Sequence, residues 1–329
     1  RRLRTWLLHP LLNVAAIHDR QEAIATLVTQ SRPRADLRQL LSTILDLERL
    51  TSRITSAIAT PRDLAALRSS LAPLRQVRAL LEPTASSLLH SLWERLDALD
   101  DVGAEIQRVL LEEPRAVAKE GGLIRAGVSA ELDELRALHT DGNTWLAKLE
   151  EQERKRTGIP NLRVGFNHVF GYYLEVTKSY LSLVPKTYTR RQTLVNAERF
   201  VTEKLRRFEE KQLSATDRGR LLEYNLFMHL RDHVAAQASR VRQTAEVLGI
   251  VDALGALAEV AAKHGWKRPI VDESSRIHVT EGRHPVVEAV SGTFVPNDLS
   301  LDDHTPFLLL TGPNAAGKST YARQAALLV

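Results

Sequence analysis

Residues 307–319 read FLLLTGPNAAGKS, a short apolar run followed by a glycine-rich loop. The loop, from Gly312 to Ser319, matches the pattern G-x-x-x-x-G-K-[ST] at every defined position. The apolar run before it is typical of a strand, and residues 321–329 after it are typical of an apolar helix. This order of strand, loop and helix predicts a phosphate-binding loop at the start of an α/β nucleotide-binding domain.

Each defined position of the loop has a physical role in holding phosphate. Gly312 and Gly317 permit backbone angles that a Cβ atom would obstruct, so the loop amides can point inward at an anion. Lys318 would bridge the β- and γ-phosphates, and Ser319 would offer its hydroxyl to Mg²⁺ at the positive end of a helix dipole. We therefore predict ATP or ADP with Mg²⁺ as ligands, and Lys318 and Ser319 as catalytic contacts. The predicted nucleotide-binding residues of the loop are Gly312, Pro313, Asn314, Ala315, Ala316, Gly317, Lys318, Ser319 and Thr320.

Phosphoryl transfer also needs a second acidic ligand for Mg²⁺ and a residue that positions the attacking water. The sequence ends ten residues after Ser319, and no acidic strand follows the loop within it. We therefore expect this polypeptide alone to bind nucleotide without hydrolysing it. The alternative is a glycine-rich turn with a purely structural role, which would show no saturable binding of nucleotide.

The composition excludes several other kinds of site. The chain has 329 residues, of which 43% are hydrophobic and 26% charged, as in an ordinary globular protein. It has no cysteine, which rules out disulfides, thiolate metal sites and a cysteine nucleophile, and its histidines lack metal-ligand spacing. No apolar run approaches the ~20 residues of a membrane helix, and the N-terminus has no signal-type apolar core. We expect a cytoplasmic protein with no membrane partner.

Most of the chain before residue 269 has a helical period. Residues 1–128 carry apolar stripes at helical spacing and predict a helical core, in which Asn13 and Thr60 are candidate helix caps. Residues 129–157 are highly charged and free of proline, and they predict one long helix of about 40 Å. A second long helix that returns to the core is predicted over residues 198–268.

Between these two helices, residues 158–197 alternate apolar and polar side chains and predict a small antiparallel β module, with a turn at 168–171. Two long helices that flank a short β module most simply form an antiparallel pair with the module at its tip. From residue 269 onward, strand-like runs at 270–271, 277–279, 286–287 and 307–310 predict the first part of the nucleotide-binding domain. The expected fold is multidomain and mainly α-helical.

Positive charge is concentrated in one segment. Residues 154–220 contain 15 Lys or Arg against six Asp or Glu, although the whole chain carries a net charge of only +5. Clustered cations are the expected footprint of a nucleic-acid backbone, and a solvated helix face of mixed charge is the alternative. The tyrosines of the β module are expected to pack the sheet, not to stack on bases. The predicted DNA-binding residues are Lys178, Arg190, Arg191, Thr193 and Asn196.

Six stretches together resemble the MutS family of DNA mismatch-repair ATPases. They are residues 4–21 (RTWLLHPLLNVAAIHDRQ), 171–178 (GYYLEVTK), 188–200 (YTRRQTLVNAERF), 281–288 (EGRHPVVE), 294–297 (FVPN) and 311–320. The resemblance covers essentially the whole chain. It implies a helical core, a pair of lever helices, a clamp at their tip that touches the DNA backbone, and the start of an ABC-type ATPase domain.

The resemblance also implies roles that the sequence pattern alone does not supply. The position of Phe294 matches an aromatic residue that stacks on adenine, with Val290 as a second apolar contact; a core phenylalanine is the alternative. Thr193 and Asn196 fall in the segment that matches the DNA-contacting loop of the clamp. The implied partners are mismatched double-stranded DNA, a second copy of the chain and a MutL-type protein, and the implied location is the bacterial nucleoid.

Two departures from the family pattern bear on these expectations. Ala315 stands where the family commonly has methionine, which should leave the cradle of amides intact. The domain that reads mismatches with a Phe-x-Glu wedge, the connector, and the second half of the ATPase have no counterpart in these residues. We therefore expect mismatch specificity to lie elsewhere. A related DNA-associated ABC-type ATPase without a clamp is the competing hypothesis. The β module between the long helices favours the MutS-like ATPase over this alternative.

Overall fold

A computed structural model describes residues 2–82, 86–167, 171–313 and 316–328. Within these ranges it describes all side chains except those of 138–141 and 143. The chain divides into two compact units. The first contains Arg1–Pro10 and Asp19–Lys267, and the second contains Leu11–His18 and Arg268–Val329.

Helices build the described part of the chain before residue 110. They are α1 (Arg2–Leu8), α2 (Val14–Thr29), α3 (Ser31–Thr43), α4 (Leu47–Thr55), α5 (Pro61–Leu71), α6 (Leu74–Leu81), α7 (Ser87–Arg95) and α8 (Asp100–Val109). Their beginnings follow the local chemistry: the Asn13 side chain accepts a hydrogen bond from the Ala16 amide, as predicted, and Asp46 caps α4 in the same way. Along the residues that the structure covers, no helix is both long and apolar enough to cross a membrane.

Thr60 and Asp63 form a reciprocal cap at the start of α5. The Thr60 hydroxyl oxygen accepts a hydrogen bond from the Asp63 amide, and the Asp63 carboxylate accepts one from the Thr60 amide at 2.8 Å. Arg53 lies 3.1 Å from the same carboxylate. Burial alone would raise the pKa of Asp63, but the hydrogen bonds from Thr60 and Arg53 outweigh it and hold the pKa below its ordinary value.

Leucine side chains at helical spacing fill the core of the first unit. Leu64, Leu67 and Leu89 are fully buried, and they belong to one cluster with Phe227 and Val251 from later helices. Burial of such side chains supplies the main stabilising free energy, roughly 1.5 to 3 kcal/mol for each.

Three long helices follow α8 in the chain, and they also contribute side chains to the core. They are α9 (Ala130–Thr157), α10 (Glu203–Ala236) and α11 (Ala238–His264). Ser129 caps α9, and Gly158 ends it with φ +70°. The segment 198–268, predicted as a long helix and a return to the core, contains two helices: the chain breaks at Gln237, and α11 stops before Gly265, whose φ is +64°.

A buried carboxylate joins the helix pair to the core. Glu223 on α10 accepts hydrogen bonds from the Leu123 amide at 2.7 Å and from the Arg136 guanidinium on α9 at 2.9 Å. It is therefore satisfied by two segments that are far from it in sequence. This contact fixes the base of the α9–α10 pair.

Four strands lie between α9 and α10. They are β1 (Arg163–Asn167), β2 (Gly171–Thr177), β3 (Thr189–Thr193) and β4 (Ala197–Val201), in the antiparallel order β1-β2-β4-β3. A mainly helical chain with a small antiparallel sheet is therefore confirmed. The β module continues to Val201, four residues past the predicted end, because β4 pairs with both β2 and β3. Of the predicted turn, residues 168–170 lie outside the described part of the chain.

The second unit contains β5 (Ile277–Gly282), α12 (Pro285–Ser291), β6 (Asn297–Leu301) and α13 (Lys318–Leu328). The strand predicted at 286–287 is wrong: these residues are in α12, because Pro285 and the His284 ring, which accepts from the Val287 amide, begin a helix there. Residues 270–271 and 307–310 are also not strands. No described strand pairs with them, and a lone segment cannot satisfy its backbone hydrogen bonds as a strand does.

Replacement of Asp63 by Asn is expected to lower the free energy of unfolding of the first unit by about 1 kcal/mol at pH 7. Because the folded-state pKa is lowered, the contribution of the carboxylate is present above its ordinary pKa of 3.8 and disappears as the pH falls through the folded value. Urea unfolding followed by circular dichroism at pH 7 and near pH 3 measures the difference. Asp36→Asn, an exposed site on α3, is the matched control. A deficit that grows as the pH falls would contradict the assignment.

Candidate functional site

The two glycines of the predicted phosphate loop have backbone conformations that other residues rarely adopt. Gly312 has φ +148° and Gly317 has φ +84°, both in the region that favours glycine. A Cβ atom at Gly317 would meet nothing within 4 Å, so the backbone angle and not the available space requires a glycine there. The Ala316 amide donates to the Pro313 carbonyl at 3.3 Å. Two of the predicted ligands, Asn314 and Ala315, lie outside the described residues.

Lys318 is the first residue of α13, and its side chain folds back over the loop. The ammonium donates hydrogen bonds to the carbonyl oxygens of Gly312 and Pro313, the latter at 2.6 Å. An ammonium has three donors, and two are thereby directed at the loop. Ser319 is exposed and Thr320 partly buried in the first turn of the helix. The structure thus brings together a glycine loop, a lysine and a hydroxyl at one helix start.

Helix α13 is held against the two-stranded sheet of its unit. The Tyr321 hydroxyl donates to the Asp298 carbonyl of β6 at 2.6 Å. The buried Gln324 side chain approaches Gly282 of β5 so closely that a Cβ there would lie 2.6 Å from its amide nitrogen. These contacts orient the helix that begins at the phosphate loop.

The two predicted adenine contacts differ in their surroundings. Phe294 is partly buried, and its ring centroid lies 6.4 Å from that of the buried His284. Val290, in the last turn of α12, is 85% exposed. The contact with His284 agrees with the alternative of a packed phenylalanine, and the adenine role of both residues stays a prediction.

Three of the predicted DNA contacts lie together at one end of the four-stranded sheet. Strands β3 and β4 are joined there by a tight loop in which the Leu194 amide donates to the Ala197 carbonyl at 2.8 Å. The Lys178 amide, just after β2, donates to the Asn196 carbonyl at 3.1 Å. Thr193 is the last residue of β3, and the side chains of Lys178, Thr193 and Asn196 are exposed.

Arg190 and Arg191 are adjacent in sequence but have different environments. Arg190 pairs with Phe200, and Gln192 pairs with Arg199, so Arg191 is the extra residue of a β-bulge in the edge strand β3. The Arg190 guanidinium lies 2.9 Å from the buried carboxylate of Glu198. Arg191 is exposed and has no ion pair among the residues that the structure describes. Arg191 is therefore the better candidate of the two for contact with an external anion.

Ion pairs within the chain neutralise much of the positive charge of residues 154–220. Arg154, Lys155 and Arg156 pair with glutamates of α9, and Arg199 pairs with Glu175 at 2.9 Å. Six basic residues of this segment have no ion pair within the described part of the chain: Arg163, Lys178, Lys186, Arg191, Lys204 and Lys211. The unpaired positive charge is thus smaller than the sequence indicates and lies at these positions.

Carboxylates near the end of α9 hold the sheet on the helix pair. The Glu150 carboxylate accepts from the Val164 amide of β1 at 2.7 Å, and the buried Glu153 carboxylate accepts from the Tyr188 hydroxyl at 2.8 Å and pairs with Arg156 at 2.6 Å. Burial, and then the hydrogen bond to Glu153, raise the pKa of Tyr188. Sequence reasoning missed these anchors, because an acidic residue in a charged helix carries no sign of its distant partner.

Comparison with known proteins shows that the chain is similar to MutS proteins. The profile of MutS family domain IV matches residues 127–218, which contain α9, the four-stranded sheet and the first part of α10. The chain is 47% identical over 332 aligned residues to the DNA mismatch repair protein MutS of Symbiobacterium thermophilum, and 44% identical over 329 to that of Persephonella marina. It is 48% identical over 341 to that of Anaeromyxobacter dehalogenans. Each alignment covers 100% of this chain and 38% to 39% of the relative.

Replacement of Tyr188 by Phe is expected to weaken the attachment of the sheet to α9 by about 1 to 2 kcal/mol, because a buried carboxylate loses one of its donors. Hydrogen exchange read by mass spectrometry should show faster exchange of β3 and β4 with little change in the helices of the core. Tyr180→Phe, at a partly buried site in the same unit, is the control. Equal protection of both strands in the variant and the parent would rule out this role for Tyr188.

Proposed function

Because the chain belongs to the MutS family and spans somewhat over a third of the length of the relatives it matches, we propose that it forms the DNA-clamping and nucleotide-binding part of a DNA mismatch repair ATPase. In this proposal the sheet contacts the DNA backbone, and the loop at the start of α13 binds ATP or ADP with Mg²⁺. The ATPase is of the ABC type. The two roles rest on different observations and can be tested separately.

The observation that carries the DNA role is the exposed, unpaired charge near the end of the sheet. Lys178 and Arg191 offer cations to phosphates, while Thr193 and Asn196 offer polar groups that can hydrogen-bond the backbone without reading bases. Arg190 is the weakest member of the predicted set, since its guanidinium is engaged by Glu198. The attachment of the sheet to α9 gives the contact a fixed support. We therefore propose binding of duplex DNA that is independent of sequence and steeply dependent on salt.

The nucleotide role is supported by the fit between the loop and a polyphosphate. The backbone angles of Gly312 and Gly317 allow amides to converge on an anion, and Lys318 starts the helix that follows. Its ammonium can exchange bonds with the loop carbonyls for bonds with phosphate oxygens, and the Ser319 hydroxyl can reach a cation beside them. A bound Mg²⁺ would neutralise charge on the phosphates. Phe294 and Val290 are proposed as the contacts to adenine.

Further partners are proposed from family membership. They are mismatched duplex DNA, a second copy of the chain to form a homodimer, and a MutL-type protein, with the cytoplasm and its nucleoid as the location. In the longer protein, the nucleotide state would be coupled to the position of the clamp through the helices α9 and α10.

Replacement of Lys318 by Ala is expected to weaken binding of a fluorescent ADP in the presence of Mg²⁺ roughly ten- to a hundredfold. A hydrogen bond from a charged donor contributes about 1.5 to 3 kcal/mol, and each 1.4 kcal/mol is about a tenfold change in affinity. Fluorescence anisotropy measures the change. Arg323→Ala removes an exposed cation from the same helix and is the control. Absence of saturable binding by the parent chain would favour the structural glycine turn instead.

Replacement of Arg191 by Ala is expected to weaken duplex binding uniformly across DNA sequences and to lower the slope of log affinity against log salt by about 1, as for one lost phosphate contact. Lys178→Ala should act in the same way. Titration of a labelled duplex between ~50 and ~200 mM salt gives both quantities. Lys263→Ala, at an exposed position of α11, should change neither. An affinity of the parent that does not respond to salt in this range would refute backbone contact.

A further inference from the structure

A cleft between α9 and α10 lies beside the sheet and plays no part in the function proposed so far. Its volume is about 410 Å³, and it is lined by Trp145, Lys204, Arg207, Phe208, Lys211 and the backbone at Gly142. This size falls within the range of small-ligand sites. The lining combines two aromatic rings with three cations.

The aromatic rings form a fixed platform. Trp145 of α9 and Phe208 of α10 are stacked, with ring centroids 4.2 Å apart and planes inclined by 10°. Tyr172 of β2 meets Phe208 edge-on at 5.8 Å, and its hydroxyl donates to the Gln212 side chain at 3.2 Å. Trp145 and Phe208 are both only partly buried. Each ring covers one face of the other, and the stacked pair still contributes apolar atoms of both residues to the lining of the cleft.

Gly142 keeps the space beside the platform open. It lies in the middle of α9, where glycine is unfavourable relative to alanine. A Cβ atom there would lie 1.9 Å from the Gln212 amide nitrogen and 3.1 Å from the Phe208 ring. A larger side chain there would displace the Gln212 amide and press on the Phe208 ring, so glycine suits the close approach of the two helices.

The cations follow one face of α10. Lys204, Arg207 and Lys211 are spaced by three and four residues, so they share a face over a length of about 10 Å. Arg207 pairs with the exposed Glu203 at 3.1 Å, whereas Lys204 and Lys211 have no ion pair among the described residues. No acidic side chain that the structure describes lines the cleft. The cleft therefore suits a ligand that is both planar and anionic.

We propose that this cleft binds an unpaired nucleotide of a single-stranded DNA segment, with the base against an uncovered face of the stacked Trp145–Phe208 pair and phosphates on Lys204 and Lys211. Aromatic platforms flanked by cations are the usual means of holding single strands, since every base has a face that can stack. Bases inside a duplex are stacked on each other and cannot reach these rings. An acidic peptide would use the cations alone. The choice of DNA as the partner rests on the proposed function of the neighbouring sheet.

The test uses the full 329-residue chain and a thymidine oligonucleotide that carries 5-iodouracil, which crosslinks to nearby aromatic side chains under ultraviolet light. Mass spectrometry of the crosslinked peptides locates the contact. Crosslinks at Trp145 or Phe208 are expected, together with at least a tenfold loss of oligonucleotide affinity in the double variant Lys204→Glu/Lys211→Glu. Lys148→Glu, exposed on α9 and outside the cleft lining, should keep the affinity within about twofold. Crosslinks confined to other residues would overturn the proposal.

Two further arms separate the cleft from the sheet and from simple charge attraction. Arg191→Glu should weaken binding of duplex DNA but leave the crosslink at the cleft, so the two sites can fail independently. Polyglutamate of matched charge should compete poorly with the oligonucleotide; equal competition would mean that the cleft recognises charge alone and would overturn the proposal. Parent-like far-ultraviolet circular dichroism of each variant is required for the comparison.

Discussion

Buried carboxylates at both ends of the α9–α10 pair are the constraint on which the arrangement of the first unit depends. The pair is too polar to be held along its length by a continuous apolar core. At its base Glu223 accepts from Leu123 and Arg136, and at its far end Glu153 accepts from Tyr188. A buried charge without partners is costly, so each of these carboxylates strongly favours the one arrangement in which its donors are present.

Pairing with carboxylates also explains why the count of Lys and Arg in the sequence is larger than the number of cations that remain unpaired. Glutamates of α9, and Glu175 and Glu198 of the sheet, pair with many of the arginines counted between residues 154 and 220. The unpaired cations lie in or next to the strands of the sheet and along the first three turns of α10. The local charge excess located a segment rich in cations but did not show which of them stay unpaired, because pairing across strands depends on register.

Features that depend on neighbouring residues could be predicted from the sequence. Features that depend on contacts between distant segments could not. The Asn13 and Thr60 caps depend on residues three positions away, and the alternation of the β module is visible in its strands. The positive φ angles of Gly312 and Gly317 are of the kind for which glycine was expected in the predicted phosphate loop. In contrast, β6 was missed because it is a short strand with only Leu299 buried, and the apolar run 307–310 was assigned to a strand although no described strand pairs with it. The difference between Arg190 and Arg191 depends on a bulge that no sequence pattern marks.

That bulge has a second effect, on whether the edge strand can pair with a strand of another molecule. Strand β3 is an edge of the sheet, and an edge with regular spacing is a template for the strand of another molecule. The extra residue at Arg191 interrupts the ladder and places an exposed guanidinium on the edge strand, so that a neighbouring copy would meet both a broken register and a repulsive charge. The feature that turns Arg191 outward thus also protects the sheet from aggregation. An edge strand that carries positive charge is thus repelled by the same edge of another copy.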